Sequence, residues 1–348
     1  MTSHVHIVGA GLIGASLGIG LTTEGWAVTV DDLDPETARL ARALGAGSEL
    51  GTAQPEVVVV AAPPSAAPEL VAAALSRWPD AVVTDVASVK APIAQAAHES
   101  GFGDRYVGSH PMAGREISGS LAAQGDLFKA RPWVICRNGA TDAAVARVVE
   151  IAQALQADVV FMEAVAHDAA VARVSHAPQV AASAVAAALG TLHPDDIALA
   201  GQGLRDVTRI AASHPGMWAD IARLNRHNIV TTLDHIIGDL EDVREADDIG
   251  EALTDLIERG RLEVARIPGK HGGVPRDWAG VTVIVPDTPG QLVRLLQETA
   301  AVNVNVEDIA IEHSPRQSVG LTTLYVLPSS ASVLVEALEG NNWEVVRS

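Results

Sequence analysis

The chain has a single cysteine, Cys136, among 348 residues. That excludes an intrachain disulfide framework and points to a reducing, cytoplasmic setting. Its strand-like surroundings, PWVIC, suit a buried structural thiol. Aromatic residues make up 3% of the chain against a hydrophobic content of 48%, so the cores must rest on Ala and Val and on close helix approach. No uninterrupted apolar run approaches the ~18 residues a spanning helix needs, so no membrane contact is expected. The first strand begins at His4 with no basic stretch or small-residue cleavage site before it, which argues against a signal peptide. Lysine is almost missing, with only Lys90, Lys129 and Lys270. The net charge of −19 is spread evenly: −7 over residues 1–160, −8 over 161–269 and −4 over 270–348. No basic arm or patch exists to hold nucleic acid. An anionic ligand must therefore be held by a few focused cations.

Residues 4 to about 162 alternate β-rich runs (HVHIVG, AVTVDD, EVVVVAAPP, AVVTDVAS, YVGSH, WVICR, DVVFM) with helix-length amphipathic stretches. That alternation predicts an α/β domain on a parallel sheet, of Rossmann type, over residues 1–162. From Glu163 to Ile267 strand signals vanish and Ala-rich helical periodicity predicts an all-α domain over 163–267. The acidic run Asp239 to Glu258, opposed only by Arg244, reads as a solvated helical face. Residues 268–277 hold the Gly- and Pro-rich PGKHGGVP, a linker pattern. Residues 278–348 read as βαββαβ, with helices expected from Pro289 and Ser332.

Gly9-Ala10-Gly11-Leu12-Ile13-Gly14 follows the first strand and opens an apolar helix. In that context the glycines permit a tight turn, close approach of a pyrophosphate and tight helix-on-strand packing, with the helix N-terminus facing the phosphates. Asp31 and Asp32 end the second strand where a carboxylate would accept from the adenosine ribose hydroxyls, and register favours Asp32. A carboxylate there repels a 2′-phosphate, so NAD is preferred over NADP. Ala62 and Pro63, after EVVVV, should line the nicotinamide side of the crevice.

Three further segments carry candidate chemistry. TDVASVK (84–90) ends a strand on the side where α/β sheets place ligands, and it contains Ser88. GSHPMAGRE (108–116) places Ser109, His110 and Glu116 downstream of the dinucleotide motif, where a histidine can take a proton while a nicotinamide takes a hydride. In the helical region, Arg205 and Arg209 are four apart, with Trp218 nine residues on, and are expected to project from one helical face. Arginine forks suit carboxylates. His167 and His176, nine apart, fall on opposite helical faces without metal-ligand spacing, so no metal is expected. His167 reads as helix structure, and Pro178 should bend the helix by freeing the Val174 carbonyl.

With GAGLIGASLG, TDVASVK, GSHPMAGRE, HDAAVARVSHAPQ, LRDVTRIAASHPGMW and IPGKHGG in that order, nearly the whole chain resembles the prephenate/arogenate dehydrogenases. Its last 70 or so residues resemble an ACT domain, a small-ligand sensor. The resemblance implies NAD-dependent oxidative decarboxylation of prephenate to 4-hydroxyphenylpyruvate and carbon dioxide. His110 matches the catalytic histidine that binds the ring hydroxyl, and Ser88 the serine that hydrogen-bonds near that hydroxyl and the nicotinamide. Arg209 matches the arginine that holds a substrate carboxylate, His176 a histidine at the substrate pocket, and Glu116 an acid that gates the site. The helical region is implied as the interface of a homodimer. Asp287, Pro289, Gly290 and Leu292 resemble the amino-acid-binding loop of ACT domains, with tyrosine as the expected effector. Asp287 or Thr288 can cap the helix that follows.

Three other readings remain open. An arogenate dehydrogenase differs only in the side-chain amino group of its substrate. A non-catalytic NAD-dependent sensor would tolerate loss of His110, Ser88 and Arg209, and all three are present. A hydroxyacid dehydrogenase of the 6-phosphogluconate type would need a lysine in the helical core, where none falls.

Overall fold

The computed structural model describes residues 4–52, 54–113, 119–267, 278–313 and 319–346. Glu116 and the linker 268–277 lie outside the described residues. Contacts divide the chain into two compact units, Met1–Gly238 and Asp239–Ser348, and the helical region expected over 163–267 runs across that division.

The first unit begins with β1 (His4–Val8), α1 (Leu12–Thr23), β2 (Ala27–Asp31), α2 (Pro35–Ala43), β3 (Val57–Val60) and α3 (Ala67–Arg77). It continues with β4 (Val82–Asp85), α4 (Ala91–Glu99), β5 (Tyr106–Pro111), β6 (Pro132–Cys136), α5 (Asp142–Ala154) and β7 (Asp158–Phe161). The seven strands form one sheet in the order β2-β1-β3-β4-β5-β6-β7. All four residues of β3 are buried, as expected of a strand covered by helices on both faces. The order reverses at β1, which pairs with β2 on one side and β3 on the other, so the loops after β1 and β3 flank a crevice.

One expectation is corrected at the far edge of the sheet. β6 pairs antiparallel with β5, Gly108 opposite Cys136 and Pro111 opposite Trp133, while β7 is parallel to β6. A parallel pair needs a helical crossover, which α5 supplies between β6 and β7. Between β5 and β6 the described residues hold only a 3₁₀ turn, Ser120–Ala122.

Helices α6 (Ala164–Val171), α7 (Ala177–Ala188), α8 (Pro194–Ile197), α9 (Gln202–Thr208), α10 (Pro215–Leu224) and α11 (Arg226–Glu245) follow. Between α6 and α7, Ala172–His176 forms a π-helical turn. Pro178 has no N–H to return to Val174, so the helix widens there rather than stopping.

The second unit includes α12 (Ile249–Val264), β8 (Ala279–Pro286), α13 (Gln291–Ala301), β9 (Asp308–His313), β10 (Val319–Val326), α14 (Pro328–Gly340) and β11 (Glu344–Val346). Its βαββαβ order builds a four-stranded antiparallel sheet, β11-β8-β10-β9, over a core of Val283, Leu295, Leu324, Leu334 and Leu338. The last helix starts at Pro328 rather than Ser332 because proline suits its first turn. Neither Asp287 nor Thr288 caps α13. Gly290, in the left-handed region at φ 90°, occupies the cap position with no side-chain bond. Among the described residues no helix is long and apolar enough to cross a membrane.

Candidate active site

The glycine loop fits a dinucleotide on its own geometry. A Cβ on Gly9 (φ 107°) would lie 2.4 Å from the Ala61 carbonyl oxygen, and one on Gly14 would lie 1.9 Å from the Gly9 oxygen. Those glycines let the loop after β1 touch both the loop after β3 and its own helix. At Gly11 a Cβ would meet nothing within 4 Å, which leaves the start of α1, with Leu12 and Ile13 in its first turn, open to a ligand. The Asp32 carboxylate accepts from Ala10 N at 2.7 Å and from Asp34 N at 2.9 Å. Asp31 instead pairs with Arg42 at 3.2 Å, so the structure puts Asp32 beside the glycines. Ala62 and Pro63 follow β3 on the other wall, and Ser65 in the same loop donates to Asp220 of α10 at 2.6 Å.

Beneath the crevice lies a fully buried ionic cluster. Lys90 Nζ bonds Asp85 Oδ1 and donates to the Ser109 carbonyl at 2.6 Å. Tyr106 donates to Asp85 Oδ2 at 2.7 Å, and burial beside that carboxylate holds its phenol well above the usual range. Removing one partner of such a pair costs about 3–5 kcal/mol. The cluster ties the β4–α4 loop, which carries the part-exposed Ser88, to the end of β5, which carries His110. Ser109, expected at the substrate, is fully buried, and its hydroxyl donates to the Asp85 carbonyl at 2.7 Å.

His110 is half-buried, and its Nδ1 lies 2.9 Å from Nε2 of His167. His167 Nδ1 in turn lies 2.8 Å from Asp168 Oδ1. Asp168 also accepts from Lys90 N at 2.7 Å and Ala91 N at 2.8 Å, which caps α4 from the helical region. Burial holds His110 well below the usual histidine value, and Lys90, with any charge on His167 or His176, lowers it further. His110 is therefore neutral at neutral pH.

The network continues through Asn225, whose Nδ2 donates to the Asp168 carbonyl at 2.8 Å and to His176 Nδ1 at 3.1 Å. Burial pushes His176 down to about 4. Trp218 stands edge-on to His176 with ring centroids 6.0 Å apart, and its indole Nε1 is buried without a protein partner. Arg205 is exposed on α9, whereas Arg209 opens the 3₁₀ turn Arg209–Ala212. The helix type thus changes at Thr208, between the two arginines, and both are exposed. Gln179 of α7, three residues past His176, donates to the Ile210 carbonyl at 3.0 Å and ties that turn to the same helix.

The structure thus joins His110 to His176 through His167, expected only as helix structure, and through Asp168 and Asn225, with Asp85, Lys90 and Tyr106 bonded below, none of which was expected in the site. The adjacent His167-Asp168 pair and the lysine two residues after Ser88 were the available signals. Among the described residues no cluster of three His, Cys, Asp or Glu could hold a metal.

A glycine-cradled crevice between β1 and β3, with a half-buried histidine at the end of β5 in the same sheet, marks the class as a nucleotide-dependent dehydrogenase. Two family matches are more specific: prephenate dehydrogenase, nucleotide-binding domain, over residues 18–161, and prephenate dehydrogenase, dimerization domain, over 163–255. The chain belongs to the prephenate dehydrogenase family. It is 33% identical to the probable prephenate dehydrogenase NovF of Streptomyces niveus, over 97% of this chain and 98% of that one. The structure of prephenate dehydrogenase from A. aeolicus, in complex with hydroxyphenyl propionate and NAD+, is 28% identical with a TM-score of 0.67, covering 76% of this chain and 99% of that one. Synechocystis arogenate dehydrogenase is 25% identical with a TM-score of 0.63, covering 75% and 98%.

Proposed function

We propose that this protein oxidatively decarboxylates prephenate to 4-hydroxyphenylpyruvate and carbon dioxide with NAD. The observation that carries the reading is His110, neutral and anchored through Nδ1, at the end of a strand bonded to the Ser88 loop. NAD would be held by Gly9, Gly11, Gly14, Leu12, Ile13, Asp32, Ala62 and Pro63, and supplies the acceptor for the hydride leaving the ring carbon. His110 Nε2 takes the ring hydroxyl proton as that carbon becomes a carbonyl, and Ser88 orients the hydroxyl. Loss of the ring carboxylate as carbon dioxide then makes the ring aromatic and leaves its electron pair on the ring oxygen, which takes the proton back from His110, so the protein need supply little beyond alignment and one proton acceptor.

Arg209 holds a substrate carboxylate, with Arg205, His176 and Trp218 lining the same pocket and Glu116 gating it. Arg209→Ala is expected to raise KM far more than Arg209→Lys, because lysine keeps the charge. Equal kinetics for wild type and Arg209→Ala would remove the assignment. The division into residues 1–162, 163–267, 268–277 and 278–348 accompanies this reading, with the helical region forming a homodimer in the cytoplasm. The βαββαβ order supports an ACT-type sensor that binds tyrosine at Asp287, Pro289, Gly290 and Leu292.

The likeness to an arogenate dehydrogenase keeps arogenate as the second reading. Initial rates on both substrates with NAD and NADP separate the two. Higher kcat/KM for prephenate with NAD is expected, and higher kcat/KM for arogenate would favour the alternative.

A further inference from the structure

We propose that His167 and Asp168 form a positioning pair that fixes the tautomer of His110, leaving its Nε2 as the bare nitrogen. The proposal rests on the reading of His110 as proton acceptor and explains what makes it one. Both Asp168 oxygens accept backbone N–H groups, from Lys90 at 2.7 Å and Ala91 at 2.8 Å. A carboxylate so engaged has no proton to give, so the 2.8 Å contact with His167 must be Nδ1–H donating to Oδ1. A neutral imidazole carries one such proton, which leaves His167 Nε2 as an acceptor. His110 Nδ1, 2.9 Å away, then donates, and its Nε2 keeps a free lone pair. The two rings meet edge-on, with centroids 5.1 Å apart and planes at 81°.

The arrangement also matches the step. When the substrate O–H breaks and its proton bonds to Nε2, the oxygen electron pair completes the carbonyl as the hydride leaves to NAD. The resulting imidazolium keeps its Nδ1–H on His167, with the Asp168 carboxylate behind it. Asp168 holds the pair in place because the same carboxylate caps α4, whose first residues follow the Ser88 loop. A proton on both nitrogens of His167 would reverse the final bond and put the His110 proton on Nε2, a tautomer unable to accept.

The test is nitrogen NMR of the full-length protein labelled with ¹⁵N-histidine, in which protonated and bare ring nitrogens resonate far apart. The His110 signals are identified by their loss in His110→Asn. The expected spectrum at neutral pH shows Nδ1 protonated and Nε2 bare. His167→Leu should lose that preference and lower kcat by about 10²-fold. His167→Gln, whose side-chain carbonyl can still accept from Nδ1–H, should recover much of it. A wild-type spectrum with the proton on Nε2 overturns the proposal, as does wild-type kcat in His167→Leu. If His167→Leu fails to fold, the wild-type spectrum decides alone. Wild-type activity in His110→Asn would instead overturn the proton-acceptor reading, and the spectrum distinguishes the two failures because it needs no turnover.

Discussion

As the proposed proton acceptor His110 has to be neutral, and its environment sets the pH range over which it stays so. Its value is pushed well below 6.5 by burial and by His167, Lys90 and His176, so protonation must wait for acid well below that point. The kcat/KM for substrate is therefore expected to stay level as pH falls from neutral through 6.5, with the acid limb from this group only beyond it. A half-loss at or above 6.5 that disappears in His110→Asn would contradict the assignment. The placement of the glycine loop, Asp32, Ser88 and His110 was legible because it follows from position along strands and turns. His167 was not. Its partner lies 57 residues away, and only folding shows that a helix-start histidine ends beside the strand histidine. The burial of Ser109 was hidden for the same reason, since strand alternation says which residues share a face but not which face the Asp85 carbonyl lies beneath.

The β1–α1 loop separates packing glycines from a ligand glycine. Gly11→Ala adds a methyl with no protein atom within 4 Å, so it should leave Tm unchanged yet raise KM for NAD several-fold. Gly14→Ala forces a methyl against the Gly9 carbonyl at 1.9 Å and should lower Tm as well. Equal Tm for the two variants, read by thermal melting, would contradict this division. The order of elements through the first unit was readable from alternating periodicity, whereas the antiparallel β5–β6 pairing was not, because strand direction depends on the connection rather than on the strand's own residues. At α13 the sequence offered Asp287 and Thr288 as caps, and the left-handed Gly290 took the cap position instead.

At the scale of the whole chain, catalysis and the proposed sensing belong to different units. Deleting residues 276–348 should abolish inhibition by tyrosine, measured as the dependence of initial rate on tyrosine concentration; unchanged inhibition would move the effector site elsewhere. Sedimentation of the intact protein as a dimer is expected, and a monomer at working concentration would contradict the helical interface. The stretch without strands was legible from composition shifts, since strand signals stop near Glu163 and resume after PGKHGGVP, and among the described residues the strands end at Phe161 and resume at Ala279. Packing around α11 was not, because contacts divide the chain inside that helix, which no local signal marks. The most direct test of the central claim is product formation from prephenate and NAD by wild type and His110→Asn. The account predicts equimolar NADH, 4-hydroxyphenylpyruvate and carbon dioxide from wild type, and a kcat lower by about 10²- to 10⁴-fold in the variant with KM for NAD unchanged. Undiminished turnover in the variant, or no such products from wild type, would contradict it.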